Sequence, residues 1–110
     1  MNLWIGKEGA TDGWNGLEYV INRAYANGVS SIDKLKGGSS FEKTGDCQTR
    51  IKDNVMVIKI SKSALGISGN SYGIRFKVTD NLTKDFDVAD LYVNGDCAPI
   101  GRVNYSYYTK

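Results

Sequence analysis

The chain has 110 residues, of which 41% are hydrophobic and 24% are charged, with a net charge of +2. These values are ordinary for a single soluble globular domain. The small charge, with both signs interspersed, argues against a nucleic-acid or membrane partner, and no apolar run approaches the roughly 18 residues that span a bilayer.

The N-terminal third carries two strand patterns separated by turn residues. Leu3, Trp4 and Ile5 form a strand pattern directly after Met1, without a signal peptide before it. Because the chain enters a strand so abruptly, we expect residues 1–110 to be one module cut from a longer protein. Apolar and polar residues then alternate over residues 17–22, which predicts a second strand.

The middle of the chain predicts a hairpin and a short helix. Residues 47–52 and 54–60 read as strands joined by a turn at Asp53-Asn54. The second of these strands is apolar at nearly every position, which is typical of a central strand covered on both faces. A short helix is predicted near residues 61–65, with Ser61 to cap it and Gly66 to end it.

The C-terminal third shows the clearest strand alternation. Apolar side chains at even positions of residues 72–79 alternate with Gly73, Arg75, Lys77 and Thr79, which predicts one buried face and one cationic, solvated face. Residues 102–108 alternate again and predict the last strand. The whole pattern predicts an all-β fold, a jelly-roll-like antiparallel β-sandwich of seven or eight strands with one short helix.

Two cysteines, Cys47 and Cys97, lie 50 positions apart. A disulfide between them would stabilise the fold by about 4 kcal/mol in the chain-entropy model, and two buried free thiols are the alternative. The chain has no histidine, so neither a cysteine–histidine zinc site nor a catalytic triad with a histidine base can form. No pair of carboxylates stands out for glycoside hydrolysis, and we expect no catalysis.

Several polar and aromatic residues lie in or beside predicted turns. A sugar is bound by flat aromatic faces together with amide, carboxylate or guanidinium groups. The candidate ligand-binding residues of this kind are Trp14, Asn22, Arg23, Asn94, Asp96 and Arg102. Asn22 and Arg23 are equally suited to a structural role, with an ion pair from Arg23 to Asp90 or Asp96. Tyr19, Tyr72 and Tyr105, on alternating strands, are expected in the core.

Acidic residues cluster late in the chain. The weak calcium candidates among them are Asp80, Asp85, Asp87 and Asp90. Calcium takes six to eight oxygen ligands, largely from loops, but this spacing does not match an EF-hand loop. Solvated turn residues are the commoner explanation, so we expect no cofactor, with calcium as the alternative.

Five segments in order resemble a known class of module: residues 11–23, 41–50, 60–65, 76–81 and 90–105. They are similar to the C-terminal β-sandwich modules of secreted bacterial carbohydrate-active proteins, which are related to family 9-type carbohydrate-binding modules. The resemblance implies a non-catalytic accessory module outside the cytoplasm, associated with glycoside hydrolases. It implies a glycan held by Trp14 and by polar groups between Asn94 and Arg102.

The chain departs from that class in two ways. Gly6-Lys7-Glu8 stands where such proteins often carry Asp-x-Asp, which puts a cation there in doubt. The chain is also shorter than a full module, so an exposed sheet edge is expected, open to dimerisation or to a neighbouring domain. The alternative function is therefore a structural module that packs on a neighbouring domain without a small ligand.

Overall fold

The computed structural model describes residues 1–11, 13–14, 16–36, 40–80, 95–99 and 104–109. The strands are β1 (Asn2–Lys7), β2 (Tyr19–Ala26), β3 (Val29–Lys36), β4 (Ser40–Lys52), β5 (Val55–Lys59), β6 (Gly73–Asp80), β7 (Asp96–Ala98) and β8 (Tyr105–Tyr108). A 3₁₀ turn, Ser63–Leu65, separates β5 from β6. No helix in these ranges is long and apolar enough to cross a membrane.

The described strands form one antiparallel sheet in the order β5-β4-β3-β2-β1-β6-β7, and β8 pairs with β6 beside β7. The prediction of an all-β antiparallel fold is confirmed. The sheet is curled, because Met56 and Ile58 of β5 line the same small cavity as Leu3 of β1 and Val78 of β6. Three strands separate β5 from β1 in the sheet, so the sheet curls until β5 lies across a shared core from β1 and β6.

Two tight hairpins of different length form one end of the sheet. Asn27-Gly28 joins β2 to β3 with φ of 51° and 81°, the positive values that a type I′ turn requires. Asp53-Asn54 joins β4 to β5, since Lys52 pairs with Val55, which confirms the predicted hairpin. Thr49 N donates to Gly28 O at 2.9 Å, so β4 and β5 continue past the first turn.

The inner face of the sheet carries the main core. Ile5, Tyr19, Ile21 and Ile32 from three adjacent strands pack together, and Leu65 covers them from the 3₁₀ turn. This turn confirms the predicted short helix: Ser61 Oγ accepts a hydrogen bond from Ala64 N at 3.3 Å, and Gly66 ends the turn in a left-handed conformation.

The three tyrosines expected in the core differ in their surroundings. Tyr19 is buried, and Tyr72 is partly buried against the same cluster. Tyr105 is 48% exposed, so its assignment to the core is wrong. It lies on β8, an outer strand of the sheet in the described ranges, where its ring contacts Phe76 at a centroid distance of 5.4 Å.

The outer face is also covered, contrary to the predicted solvated face of β6. Lys77 is only 2% exposed and Thr79 1%. Both lie beside Trp4, which pairs with Lys77 in register and donates through Nε1 to Thr79 Oγ1 at 2.8 Å. Lys77 Nζ donates to Pro99 O at 2.7 Å. The alternation is correct, but the second face is buried beneath Trp4 and the segments around it.

The apolar run of β5 was predicted to form a central strand, and this is wrong. β5 is at the end of the described strand order and pairs only with β4 there. Met56 and Ile58 point into the curled sheet, whereas Val55 and Val57 are 61% and 56% exposed. An unbroken apolar run does not by itself distinguish these two environments.

The described residues between positions 8 and 18 approach the outer face of β1, most closely at Gly16. A Cβ at Gly6 would overlap the carbonyl oxygen of Gly16, so the backbones touch at this point. Trp14 and Leu17 hold the segment closed by two mutual backbone hydrogen bonds of 3.0 Å, and Glu18 N donates to Ile5 O. Gly6 therefore positions the segment that carries Trp14.

We expect Gly6→Ala to lower the free energy of unfolding by about 1–3 kcal/mol or more, because the added methyl group meets backbone that must move. The matched control is Gly45→Ala on β4, where a Cβ has no atom within 4 Å. Urea unfolding of both variants tests this. Equal stabilities would show that the contact between Gly6 and residue 16 is not tight.

Burial lowers the pKa of Lys77 below its ordinary value of 10.5, and a nearby Cys97 thiolate opposes the shift. Between the folded and unfolded pKa values the unfolded chain binds more protons, so stability rises with pH in this window. We expect the free energy of unfolding of Lys77→Met to lack this increase with pH. Urea unfolding of both proteins from about pH 8 to 10.5 measures the difference, and parallel curves would contradict the prediction.

Candidate ligand-binding site

Four of the six predicted ligand-binding residues lie in the described ranges: Trp14, Asn22, Arg23 and Asp96. Asn94 and Arg102 lie outside them, as do three of the calcium candidates, Asp85, Asp87 and Asp90. The described four do not converge on one place, since they belong to the outer face, a bulge in β2 and the start of β7.

Trp14 is a packing residue of the outer face. It is partly buried, and its ring meets that of the fully buried Trp4 edge-on, with a centroid distance of 4.9 Å and an interplanar angle of 65°. Such edge-to-face pairs contribute about 0.5–1.5 kcal/mol beyond the buried area. Trp14 therefore packs on Trp4 of β1.

Arg23 extends this outer aromatic cluster, which comprises Trp4, Trp14, Phe41 and Arg23. The guanidinium lies 3.7 Å from the centroid of the Phe41 ring, and Phe41 lies 6.2 Å from Trp4. Arg23 Nη1 is also 3.4 Å from Asp33 Oδ2. Asp33 is buried, and its Oδ1 accepts no hydrogen bond from a described residue. Arg23 thus has the structural role considered above, with Asp33 as an ion-pair partner.

Asn22 holds an irregular stretch of β2. Between the pairs Ile21–Ile32 and Tyr25–Ser30, three residues of β2 lie opposite Ser31 alone. Asn22 adopts φ of 75°, a left-handed conformation that asparagine tolerates well. Its Nδ2 donates to Met1 O and its Oδ1 accepts from Ser30 Oγ, both at 2.8 Å. These contacts satisfy its amide within the protein.

Asp96 lies directly opposite Asp80 in the pairing of β7 with β6. Asp80 Oδ1 is 3.3 Å from the N-terminal ammonium of Met1. Among the described residues, no group of three or more histidine, cysteine, aspartate or glutamate side chains could hold a metal ion. A calcium site therefore stays a prediction that depends on residues outside these ranges.

Cys47 and Cys97 are both free thiols, as in the second of the two alternatives, but only Cys47 is buried and Cys97 is partly exposed. Cys47 is buried on β4, and burial raises the pKa of its thiol. Because the thiolate is the reactive form, Cys47 is poorly suited to nucleophilic or redox chemistry.

A second surface comes from the unequal hairpins. Where the β2–β3 turn ends, the longer β4–β5 hairpin continues and leaves an open groove of about 850 Å³, which we name the hairpin groove. Its lining residues come from the two hairpins: Tyr25, Asn27, Gly28, Val29, Gln48, Thr49, Arg50, Ile51, Val57 and Lys59.

The floor of the hairpin groove follows from strand register. Val29 pairs with Gln48, which pairs with Lys59, and Arg50 pairs with Val57. Because side chains alternate along a strand, these five share one face, opposite the buried Cys47 and Thr49 of β4. Two valines therefore lie among an amide and two cations.

The chemistry of the groove is that of a polar site with an available ring. Tyr25 is 50% exposed, and Asn27 and Gln48 supply amides that both donate and accept hydrogen bonds. Arg50 and Lys59 supply the charge, and no carboxylate of the described residues lines the groove. These groups fit a ligand with hydroxyls and flat apolar faces.

Sequence reasoning missed this groove, although its signals are local. Asn27-Gly28 is the strongest short-range hairpin signal in the chain, and the two turns at 27–28 and 53–54 predict hairpins of different length. Recognising that the longer hairpin overhangs the shorter one requires the pairing of β3 with β4, which the sequence alone does not reveal.

No protein-family model, curated protein or solved structure matches this chain. The similarity to family 9-type modules therefore stays a resemblance carried by the five segments named above. The function has to be argued from the geometry of the described residues.

Proposed function

We propose that this chain is a non-catalytic carbohydrate-binding accessory module and that its glycan lies in the hairpin groove. The observation that carries the proposal is the combination of a half-exposed ring, two amides and two cations in one groove. The wider context, a secreted bacterial protein with a glycoside hydrolase elsewhere in its chain, follows from the resemblance and belongs to the same proposal.

The groove matches the two sides of a sugar. A pyranose presents an apolar C–H face, which the ring of Tyr25 is suited to contact, and a rim of hydroxyls, which Asn27 and Gln48 are suited to hydrogen-bond. Its volume of about 850 Å³ falls within the range of roughly 300–1,000 Å³ typical of small-molecule sites. An open groove of this kind suits a segment of a longer chain.

The outer aromatic cluster is less suited to reversible binding. Trp14 contacts Trp4 edge-on, and Arg23 covers the ring of Phe41, so a ligand would have to displace contacts that hold the fold. In the hairpin groove, Tyr25 and Arg50 are exposed. We therefore place the glycan there and retain Trp14 as a packing residue with an untested binding role.

We propose that the hairpin groove binds a glycan without hydrolysing it. Glycoside hydrolysis uses two carboxylates flanking the scissile bond, and within the described ranges the residues that line the groove include none. Any hydrolysis would then belong to another part of the parent protein.

A structural module that packs on a neighbouring domain is the second candidate. It is favoured by the edge strand β5, whose Val55 and Val57 are exposed beside Ile51. An exposed apolar edge invites pairing with another chain. Sedimentation velocity over a range of concentrations separates the two candidates, because edge pairing between copies would give a concentration-dependent mass.

We expect Tyr25→Ala to weaken binding of a glycan, once one is identified by a thermal-shift screen, by about tenfold or about 1.4 kcal/mol. The physical reason is the loss of the apolar face against which the sugar ring packs. Isothermal titration calorimetry of the wild-type and variant chains measures the change.

The control is Tyr107→Ala, since Tyr107 is similarly exposed but lies on β8. If both variants bind as tightly as the wild type, the glycan does not lie in the hairpin groove. Trp14→Phe, which keeps a ring against Trp4, then tests the outer aromatic cluster as the alternative location.

A further inference from the structure

We infer that the hairpin groove selects glycans that carry carboxylates, the class of polysaccharide built from uronic acids. This inference rests on the proposed function and adds the charge of the ligand. It is carried by Arg50 and Lys59, which lie close together on one face without an acidic residue between them.

The two cations are diagonal neighbours on adjacent strands. Arg50 pairs with Val57 and Gln48 pairs with Lys59, so Arg50 and Lys59 are offset by two residues across the β4–β5 pair. Diagonal neighbours of this kind are about 7–8 Å apart. Both side chains are long and flexible enough to reach one carboxylate placed over Val57.

Three other cations among the described residues have acidic partners. Lys36 Nζ is 2.6 Å from Glu42, Lys43 Nζ is 2.9 Å from Asp46, and Arg75 Nε is 3.2 Å from Glu8. Arg50 and Lys59 form no ion pair with a described residue. Their positive charge is therefore available for a ligand.

The surroundings of this pair favour a carboxylate over a neutral hydroxyl. Val29 and Val57 lie on the same face as the two cations and bring no competing carboxylate. Arg50 carries a planar guanidinium that holds a carboxylate through two parallel hydrogen bonds. Lys59 adds a second charge from the neighbouring strand.

An acidic polypeptide is the other class with matching charge, and the geometry argues against it. A peptide that extends a sheet uses the backbone groups of an edge strand, which here is the edge of β5. Arg50 and Lys59 instead lie on the sheet face with Gln48, and the exposed Tyr25 and Asn27 line the same groove. That set fits rings and hydroxyls better.

The test compares oligogalacturonate with its methyl ester, which removes the negative charges and keeps the same sugar backbone. We expect the wild-type chain to bind the acid at least tenfold more tightly than the ester by calorimetry. Arg50→Gln and Lys59→Gln should each weaken binding of the acid about fivefold to tenfold and leave the ester unaffected within twofold. Lys36→Gln, which also removes one exposed positive charge, should change neither.

The outcomes separate the inference from the proposed function. Equal binding of acid and ester, or binding of neutral glycans alone, overturns charge selection and leaves glycan binding intact. Loss of binding in Lys36→Gln equal to that in Arg50→Gln would show a general charge effect and would also overturn the inference. If no glycan binds and polyglutamate does, with the same dependence on Arg50 and Lys59, both proposals fail in favour of an acidic polypeptide.

Discussion

Trp4 is the residue on which most of this fold depends. It lies on the outer face of β1, fully buried, and β1 pairs with β2 on one side and β6 on the other. Its indole nitrogen is satisfied by Thr79 of β6, and its ring receives Trp14 and Phe41 from two other segments. One large side chain thereby ties a central strand to the segments that cover it, which makes the outer face a second core.

Charged residues within this second core are structural residues. Lys77 and Asp33 belong to the outer face, where their charges are removed from most solvent and must find partners. Lys77 meets a backbone carbonyl and Asp33 meets Arg23. Arg50 and Lys59, on the β4–β5 hairpin at the other end of the strand order from β6, have no such constraint. The charges that stabilise the fold and the charges that are available to a ligand therefore lie on different parts of the sheet.

The sequence predicted which segments form strands better than it predicted which segments pair with them or cover them. Period-two alternation identified β2 and β6, and turn residues located the β4–β5 hairpin, because both signals are local. Two environments were predicted wrongly: β5 is an edge strand, and Lys77 is buried. Burial of this kind depends on which distant segment covers a face, and neither pattern records that. The hairpin groove was missed for the same reason. Tyr25 and Arg50 line one groove only because β3 pairs with β4.

The part of the β4–β5 hairpin that extends past the β2–β3 turn can change in length without a change in the core. Residues added in matched pairs on either side of Asp53-Asn54 would keep every side chain on its face, whereas a single added residue would exchange the two faces beyond it. Because β4 and β5 extend past Gly28, such pairs would lengthen the surface next to Tyr25 and leave the buried positions untouched. Related chains could then fit longer or shorter binding partners by changing hairpin length alone, with no alteration of the core.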